Sequence, residues 1–490
     1  MLTVADVVHL VGGTLSESLP VERSHIPICG VEIDSRRIVP GQLFIAYRGE
    51  HLDGHIFAPD AVAAGASAVL VERPLTNLPP DLPQIIVSDP RSALLRLAHR
   101  VLQRSLVEVT IGITGSAGKT TTRHIVSSLL SGAFPGQVLE PPASYNTDTG
   151  LSLTILNQLT EQHRFAVFEM AAQRMGEIAA LCLLAPPTIG MVTNVGPAHL
   201  EFFGSIENII QAKGELIEAL PSSGLAVLNA EDPAVRAMVY RSAAPAVFYG
   251  LSNVADYWGN IRSQGDESMV IEWFSPAGHG RARVQLLGQH NLLNIVGAIA
   301  LAERCGVSPH LISPMLEGIQ PVSSRLQIIP GPQEITIIDD SYNANRLSTQ
   351  AALALLAHRT SRGRRIAILG DMFELGSYAI AEHHAVGQFA AGAVDELFAV
   401  GVLAEHIAEG ARAAGMLSEH VHYVPAPVDK AFRSDPVPPP DVAKPRQELV
   451  ALLQEYIQPG DSILFKAGRG MRFDYLVHLL RDALQQRGSR

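Results

Sequence analysis

The alternation of apolar and polar positions opens with a small mixed α/β unit. Leu43-Phe44-Ile45-Ala46 and Ala68-Val69-Leu70-Val71 are short continuous apolar runs, which predict buried strands. Pro59 to Ala64 and Pro90 to Leu102 carry helical patterns, and Gly65 stands where a helix stop belongs. The polar turn Asp53-Gly54-His55 separates the first strand from the first helix. Near Leu106 the texture changes. The β-branched run Val107 to Thr114 ends in Gly115-Ser116-Ala117-Gly118-Lys119-Thr120, and a helical segment follows from Thr121 to Leu130. Phe165 to Phe168 and Thr188 to Thr193 read as further strands with helices between them, and Ile206 to Leu220 reads as a helix.

A second alternating series begins near Ile335. Its strands are expected at Ile335 to Ile338, Ile366 to Leu369, Leu397 to Val400 and Ser462 to Phe465, and the helix Asp474 to Gln486 closes it. Strands alternating with helices predict mostly parallel, doubly wound sheets. Domain boundaries are expected near residues 105 and 323. The proline-rich stretch Pro425 to Pro445 reads as an exposed loop inside the last domain, and no repeat of solenoid period is present.

Length agrees with this division: 490 residues are too many for one ordinary core, and at roughly 150 residues per domain they imply about three. Apolar residues make up 47% and charged ones 17%, a globular composition that can fill several cores. The net charge of −11 argues against a nucleic-acid binder, although a locally basic pocket on such a chain can still take an anionic substrate. Cys29, Cys182 and Cys305 are an odd, sparse set that makes no disulfide framework, and the last two sit in apolar runs. Met1 to Leu10 contains Asp6 and no basic segment, so it does not read as a signal peptide. No run of 18 apolar residues suggests membrane insertion, and the expected compartment is the cytoplasm.

The densest chemistry lies in Thr114-Gly115-Ser116-Ala117-Gly118-Lys119-Thr120. Its glycines let backbone N–H groups turn toward phosphate oxygens, and the following helix aims its positive dipole end at the same place. In this pattern Lys119 reaches the β- and γ-phosphates and the Thr120 hydroxyl holds Mg²⁺. Ile113 stands where the full pattern has a glycine, so the loop is a shortened variant; the plain alternative is an ordinary turn with a surface lysine. Glu169 follows a strand and is either a magnesium ligand or a surface glutamate. His199, in Asn194-Val195-Gly196-Pro197-Ala198-His199, is either a site residue or a structural loop histidine. Lys213 on its helix is equally consistent with a solvated lysine. His290-Asn291-Leu292-Leu293-Asn294 offers two amides three apart, to a base or ribose or simply as a helix cap. Asp339-Asp340-Ser341-Tyr342-Asn343-Ala344-Asn345, at a strand end, suggests a ligand site, with an acidic turn as the alternative.

Taken in this order, the motifs resemble the Mur ligase family across essentially the whole chain. The phosphate loop, Phe168-Glu169-Met170, the segment Thr193 to Glu201, Ala212-Lys213-Gly214-Glu215-Leu216, Gly288-Gln289-His290-Asn291 with Asn294, and Ser324-Arg325-Leu326 carry the likeness. Further segments are most similar to the members that join D-alanyl-D-alanine to a UDP-N-acetylmuramoyl-tripeptide. They are Asp34-Ser35-Arg36 with Gly41-Gln42-Leu43-Phe44 and Asp53-Gly54-His55, the run Asp339 to Asn345, and Gly370-Asp371-Met372-Phe373-Glu374-Leu375-Gly376 followed by His384. Lys466-Ala467-Gly468-Arg469-Gly470-Met471 stands where such members read lysine-glycine-serine-arginine-glycine-methionine, and Met170-Ala171-Ala172-Gln173 carries alanine where glycine is usual.

The resemblance implies an α/β fold of three domains. These are a small mixed UDP-sugar-binding domain at 1–105, a central P-loop, doubly wound ATPase-like domain at 106–323, and a C-terminal Rossmann-like domain at 324–490 that takes the dipeptide. It implies an ATP-dependent amide-bond-forming ligase of peptidoglycan precursor synthesis, working through an acyl phosphate. By resemblance the catalytic set is Lys119, Glu169, His199 and Lys213. ATP is held by Gly115, Ser116, Ala117, Gly118, Lys119, Thr120, Thr121, Asn291, Asn294, Arg325 and Asp340. Thr120 and Glu169 bind one Mg²⁺, while His199 and a carbamylated Lys213 bind or position a second. Ser35, Arg36, Asp53, His55, Asn146, Thr147, Asn343 and Asn345 are assigned to the other substrates. A monomer is expected, with no nucleic acid among its partners. Two alternatives stand: a related ligase adding a single amino acid, and a binding protein that keeps the fold without catalysis.

Overall fold

A computed structural model describes residues 2–16, 21–49, 52–142, 145–360, 362–429 and 437–488. Among these residues the strands form four sheets. Near the N-terminus a two-stranded ribbon pairs Leu2–Thr3 with Pro27–Ile28. Beside it lies a five-stranded sheet in the order Thr14–Leu15, Gln84–Ile86, Ala68–Val71, Leu43–Ile45, Val31–Glu32; every pair is parallel except the first. Helix Pro90–Gln103 leads out of this unit. Its Leu94 and Leu97 pack into the first core, and its Ala98 and Leu102 into the next.

The central sheet has nine strands. Val109–Thr114 lies in its middle, flanked by Phe165–Glu169 on one side and Ile189–Val192 on the other, all parallel. From Val109–Thr114 the chain first winds outward to the edge strand Val138–Leu139, returns through Phe165–Glu169, and then builds away on the opposite side. That reversal is a topological switch point, where doubly wound folds bind ligands outside the carboxyl ends of the strands. Burial on both faces explains why these strands are apolar throughout. Gly112 allows one close approach: a Cβ there would stand 2.7 Å from Leu216 Cδ1. Helix Ile206–Glu218, which carries Leu216, can therefore lie tight against the sheet, and Lys213 rides on it.

Tyr257–Gln264, Met269–Ser275 and Gly278–Val284 extend the sheet as an antiparallel edge. The apolar pattern gave little sign of it. The first of these strands is half-exposed and ends in Arg262-Ser263-Gln264, and its register shifts between Ile261 and Ser263. Stacking of Trp258 on Phe274, with ring centroids 4.0 Å apart, holds the outer pair together.

The third sheet runs Gln327–Pro330, Thr336–Asp339, Ser462–Lys466, Arg365–Gly370, Glu396–Val400, Val421–Val424, parallel except for its first pair. The strands and helices expected from the pattern are present within three residues of their expected bounds. The α/β fold with parallel-rich sheets is therefore as read. One expectation fails. The proline-rich stretch is not a loop throughout, because Pro440–Tyr456 is a helix; residues 430–436 lie outside the described residues. Pro440 occupies the helix start, where a missing N–H costs nothing, and the helix buries Val442, Arg446, Leu449 and Leu453. That burial compensates for Pro445 inside it. No helix among the described residues is long and apolar enough to cross a membrane.

Candidate active site

Three strand ends meet at the switch point. The phosphate loop leaves Val109–Thr114, Glu169 closes its own strand, and Thr193 to His199 leaves Ile189–Val192. The third segment braces the first. Thr193 Oγ1 donates to Ala117 O at 2.6 Å, Ala117 N donates to Asn194 Oδ1 at 2.9 Å, and Gly196 N donates to Ser116 Oγ at 2.9 Å. Gly118 begins helix Lys119–Ala133 with φ 82° and ψ −9°, a left-handed backbone that glycine adopts freely. A Cβ there would stand 2.6 Å from Asn294 Oδ1, so the loop is packed against helix Gln289–Arg304 with no room for a side chain.

Glu169 is only 3% exposed, so it is not a surface glutamate. Thr120 donates its hydroxyl to Glu169 Oε2 at 2.6 Å, and Asn146 Nδ2 donates to Oε1 at 2.8 Å. Burial alone would raise this carboxyl, but Lys119, Thr120, Asn146 and Arg325 together hold it below its ordinary value. Lys119 donates to Gly115 O at 2.7 Å. Burial and the nearby Arg325 guanidinium lower its pKa against the pull of Glu169.

Lys213 is 2% exposed, which rules out the solvated-lysine alternative. Burial, reinforced by Lys119, brings its pKa down to about 7 in spite of Glu215, Glu177 and Glu169. Its ammonium lies 5.7 Å from the Phe203 ring centroid. His199 has φ 57° and pairs through Nδ1 with Glu374 of the third unit.

The third unit closes over these groups. Arg325 Nη2 donates to Thr120 Oγ1 at 2.9 Å while its guanidinium lies 4.3 Å from the Tyr342 ring centroid. Asn345 Nδ2 reaches Ser116 O at 3.4 Å. Lys466 pairs with buried Asp340 and donates to Asn343 O at 3.1 Å. The resulting cleft has a volume of about 840 Å³. It gathers Ser116 to Thr121, Asn146, Thr147, Glu169, His199, Asn291, Asn294, Arg325, Asp340, Asn343 and Asn345.

Some expected residues are engaged in other work. His55 is buried; its Nδ1 donates to Asp53 Oδ1 at 2.6 Å and its Nε2 accepts from Glu72 N at 3.1 Å, so both ring nitrogens are committed to the loop. Asn345 caps helix Arg346–Ala357 through its Oδ1, and Thr147 caps Asp148–Gln158. Asn146 orients Glu169, and Arg36, with its side chain 85% exposed, folds back on Asp34. Ser35, Arg36, Asp53 and His55 do not line the cleft, and neither do Gly115 and Lys213, the latter buried on its helix. Sequence reasoning passed over Gln173, Phe373, Glu374, Lys466 and Arg469, which do line it. For the last four, the signal was their place at or just beyond the ends of strands of the third sheet.

Three family signatures cover this chain: "Mur ligase family, catalytic domain" over residues 27–101, "Mur ligase middle domain" over 113–302, and "Mur ligase, glutamate ligase domain" over 324–469. The UDP-N-acetylmuramoyl-tripeptide–D-alanyl-D-alanine ligase of Mycobacterium bovis is 41% identical over 415 residues, 79% of this chain and 81% of that one. The chain belongs to the Mur ligase family. The structure of MurF from Acinetobacter baumannii superposes with a TM-score of 0.84 at 27% identity, covering 98% of each chain. That of the Thermotoga maritima MurF ligase in complex with ADP superposes at 0.78, again at 27% identity, over 94% of this chain and 98% of that one. A glycine loop between a strand and a helix start is a phosphate-binding arrangement. Gly118→Ala should therefore weaken nucleotide binding at least about tenfold, since left-handed backbone alone costs roughly 1–2 kcal/mol and Asn294 must also move. Titration with ADP checks this; an unchanged affinity would remove the loop from the binding site.

Proposed function

We propose that this chain joins D-alanyl-D-alanine to UDP-N-acetylmuramoyl-tripeptide, driven by ATP, in peptidoglycan precursor synthesis. One observation carries the reading. The phosphate loop, the sealed Glu169–Thr120 pair and the third unit's Arg325 converge on one cleft. The names borne by the relatives supply the substrates, and the ADP in the Thermotoga maritima structure supports the nucleotide. The reading places the protein in the cytoplasm, with residues 1–105 at the UDP end, 106–323 at ATP and 324–490 at the dipeptide.

A carboxylate is a poor electrophile, and phosphorylation gives it a leaving group. The tripeptide's terminal carboxylate oxygen attacks the γ-phosphorus, the bond to the β-phosphate oxygen breaks, and ADP leaves. The dipeptide amine then attacks the acyl carbon, loses a proton, and phosphate departs, leaving an amide. Two anions must meet in the first step, so Lys119 and Arg325 neutralise charge where it develops. Closure of the third unit keeps water from the acyl phosphate.

The donor set fits Mg²⁺: the Thr120 hydroxyl and Glu169 carboxylate are hard oxygens 2.6 Å apart. Among the described residues no group of three or more His, Cys, Asp or Glu could hold a metal. An ion held by the Thr120 and Glu169 oxygens would take its remaining ligands from substrate phosphates and water. His199 and a carbamylated Lys213 would hold the second ion. Such ions would supply further neutralisation of phosphate charge.

Lys119→Ala should lower kcat by at least about 10²-fold, the scale of losing one preorganised electrostatic contact. Phosphate release from ATP in the presence of both substrates measures it, and near-normal turnover would remove Lys119 from the chemistry. The acceptor is tested by kcat/KM for D-alanyl-D-alanine against meso-diaminopimelate, L-lysine and L-glutamate. The dipeptide should be strongly preferred. A better single amino acid would overturn the acceptor while leaving the ligase chemistry intact.

Carbamylation needs a neutral amine: Nζ bonds the carbon of CO₂ and releases a proton. With its pKa brought from the ordinary lysine range to about 7, Lys213 is mostly neutral above that pH and mostly protonated below it. The neutral fraction should therefore be large at about pH 8 and roughly a tenth at about pH 6, and carbamate should decline with it. In ¹³C-bicarbonate, a carbamate resonance should follow that profile and vanish in Lys213→Ala. The variant should be nearly inactive and partly restored by acetate. A fully active alanine variant would show that Lys213 serves packing alone.

A further inference from the structure

Glu374 joins the two halves of the cleft. It belongs to the third unit, four residues beyond strand Arg365–Gly370, yet its carboxylate is spent on the central unit. Oε2 pairs with His199 Nδ1, Oε1 accepts from Gln173 Nε2 at 2.9 Å, and its main-chain O accepts from Glu201 N at 3.0 Å. Both partners of the central pair carry left-handed backbone, with φ 57° at His199 and 61° at Glu374. For residues other than glycine such backbone is strained and persists where the surroundings impose it. Two such residues facing each other across a domain boundary mark a contact for which the local chain is bent.

A carboxylate on one imidazole nitrogen fixes the tautomer and the ring plane, and leaves the other nitrogen as the acceptor. With Glu374 Oε2 as the acceptor, the favoured tautomer carries the proton on Nδ1 and leaves Nε2 for the cleft that His199 lines.

We propose that Glu374 is a positioning residue that latches the third unit onto the central one and, through that latch, sets His199 with Nε2 available to the reacting groups. His199 is then correctly presented only in the closed molecule. Closure and assembly of the phosphoryl-transfer site become one event, so an open molecule holding ATP lacks a competent site. This rests on the ligase reading above, but its tests do not all depend on that reading.

Glu374→Ala and Glu374→Gln are compared with the unsubstituted chain by three measurements. Small-angle scattering of the nucleotide-free protein should show a larger radius of gyration for Glu374→Ala. In ¹⁵N-histidine-labelled protein, the His199 signal, assigned by its loss in His199→Ala, should move from the Nδ1–H tautomer toward a mixture. In turnover, kcat should fall about 10- to 100-fold, the range for an outer carboxylate on such a histidine. The KM for ATP should change less, because the phosphate loop lies wholly in the central unit. Glu374→Gln keeps one of the two carboxylate acceptors and should fall between. Unchanged scattering and an unchanged His199 tautomer in Glu374→Ala overturn the proposal, even if turnover drops. If Glu374→Ala fails to fold, the same readings on Glu374→Gln decide. Failure of the unsubstituted chain to use D-alanyl-D-alanine would sink the ligase reading but leave the scattering and tautomer results to stand.

Discussion

Placing Glu169 at the end of a strand buried on both faces creates a carboxylate that must be compensated from several directions at once. An unpaired charge there would cost several kcal/mol, and removing a single partner would leave the rest exposed to that penalty. The partners come from three separate places: Lys119 and Thr120 from the helix after the phosphate loop, Asn146 from the turn before Asp148–Gln158, and Arg325 from the edge of the third unit. Each element must therefore arrive in register. The strand order that puts Phe165–Glu169 beside Val109–Thr114 brings the carboxylate to the loop, and Gly112 lets the Lys213 helix settle against the same strand. Much of the architecture around the cleft follows from satisfying this one group.

The parts legible in the sequence were those whose cause is local. A β-branched run, a glycine turn and a helix announce a phosphate loop within twenty residues, and parallel strands buried on both faces are apolar without interruption. Glu169 and Lys213 looked ambiguous because a single carboxylate or lysine says nothing of burial. The fold decides it, at 3% and 2% exposure. Asn345 and Thr147 were assigned to substrates for lack of the backbone geometry that makes them helix caps. His55 looked free because the main-chain N–H of Glu72, which occupies its Nε2, lies seventeen residues further along.

Glu374 illustrates the opposite limit. It stood inside a recognised motif, yet its partner His199 is 175 residues away, and neither periodicity nor composition links them. The helix Pro440–Tyr456 was missed for a related reason. Its prolines argue for a loop locally, while the apolar face that stabilises it matters only once the third sheet is in place. Long-range burial overrode local preference in both directions.

The charges in the cleft also explain how an acidic chain can handle anions. Across the whole sequence the net charge is −11, but Lys119, Arg325 and Lys213 all act on the one carboxylate of Glu169. Arg325 helps to hold the Lys119 pKa down, and Lys119 helps to hold Lys213 down. Burial is the larger cause in both, and the cations' repulsion adds to it, so further negative charge beside Glu169 is what would relieve them. A triphosphate and a substrate carboxylate would supply what is missing, and each cation would then regain part of its lost stabilisation. Binding energy is thereby concentrated where two anions must be forced together, and it is released only when both are present. The third unit takes part in this balance, because it contributes Arg325 to the Thr120–Glu169 pair. Burial first and Lys119 second bring the Lys213 pKa down to about 7, so the repulsion felt at the phosphate loop extends to this amine as well.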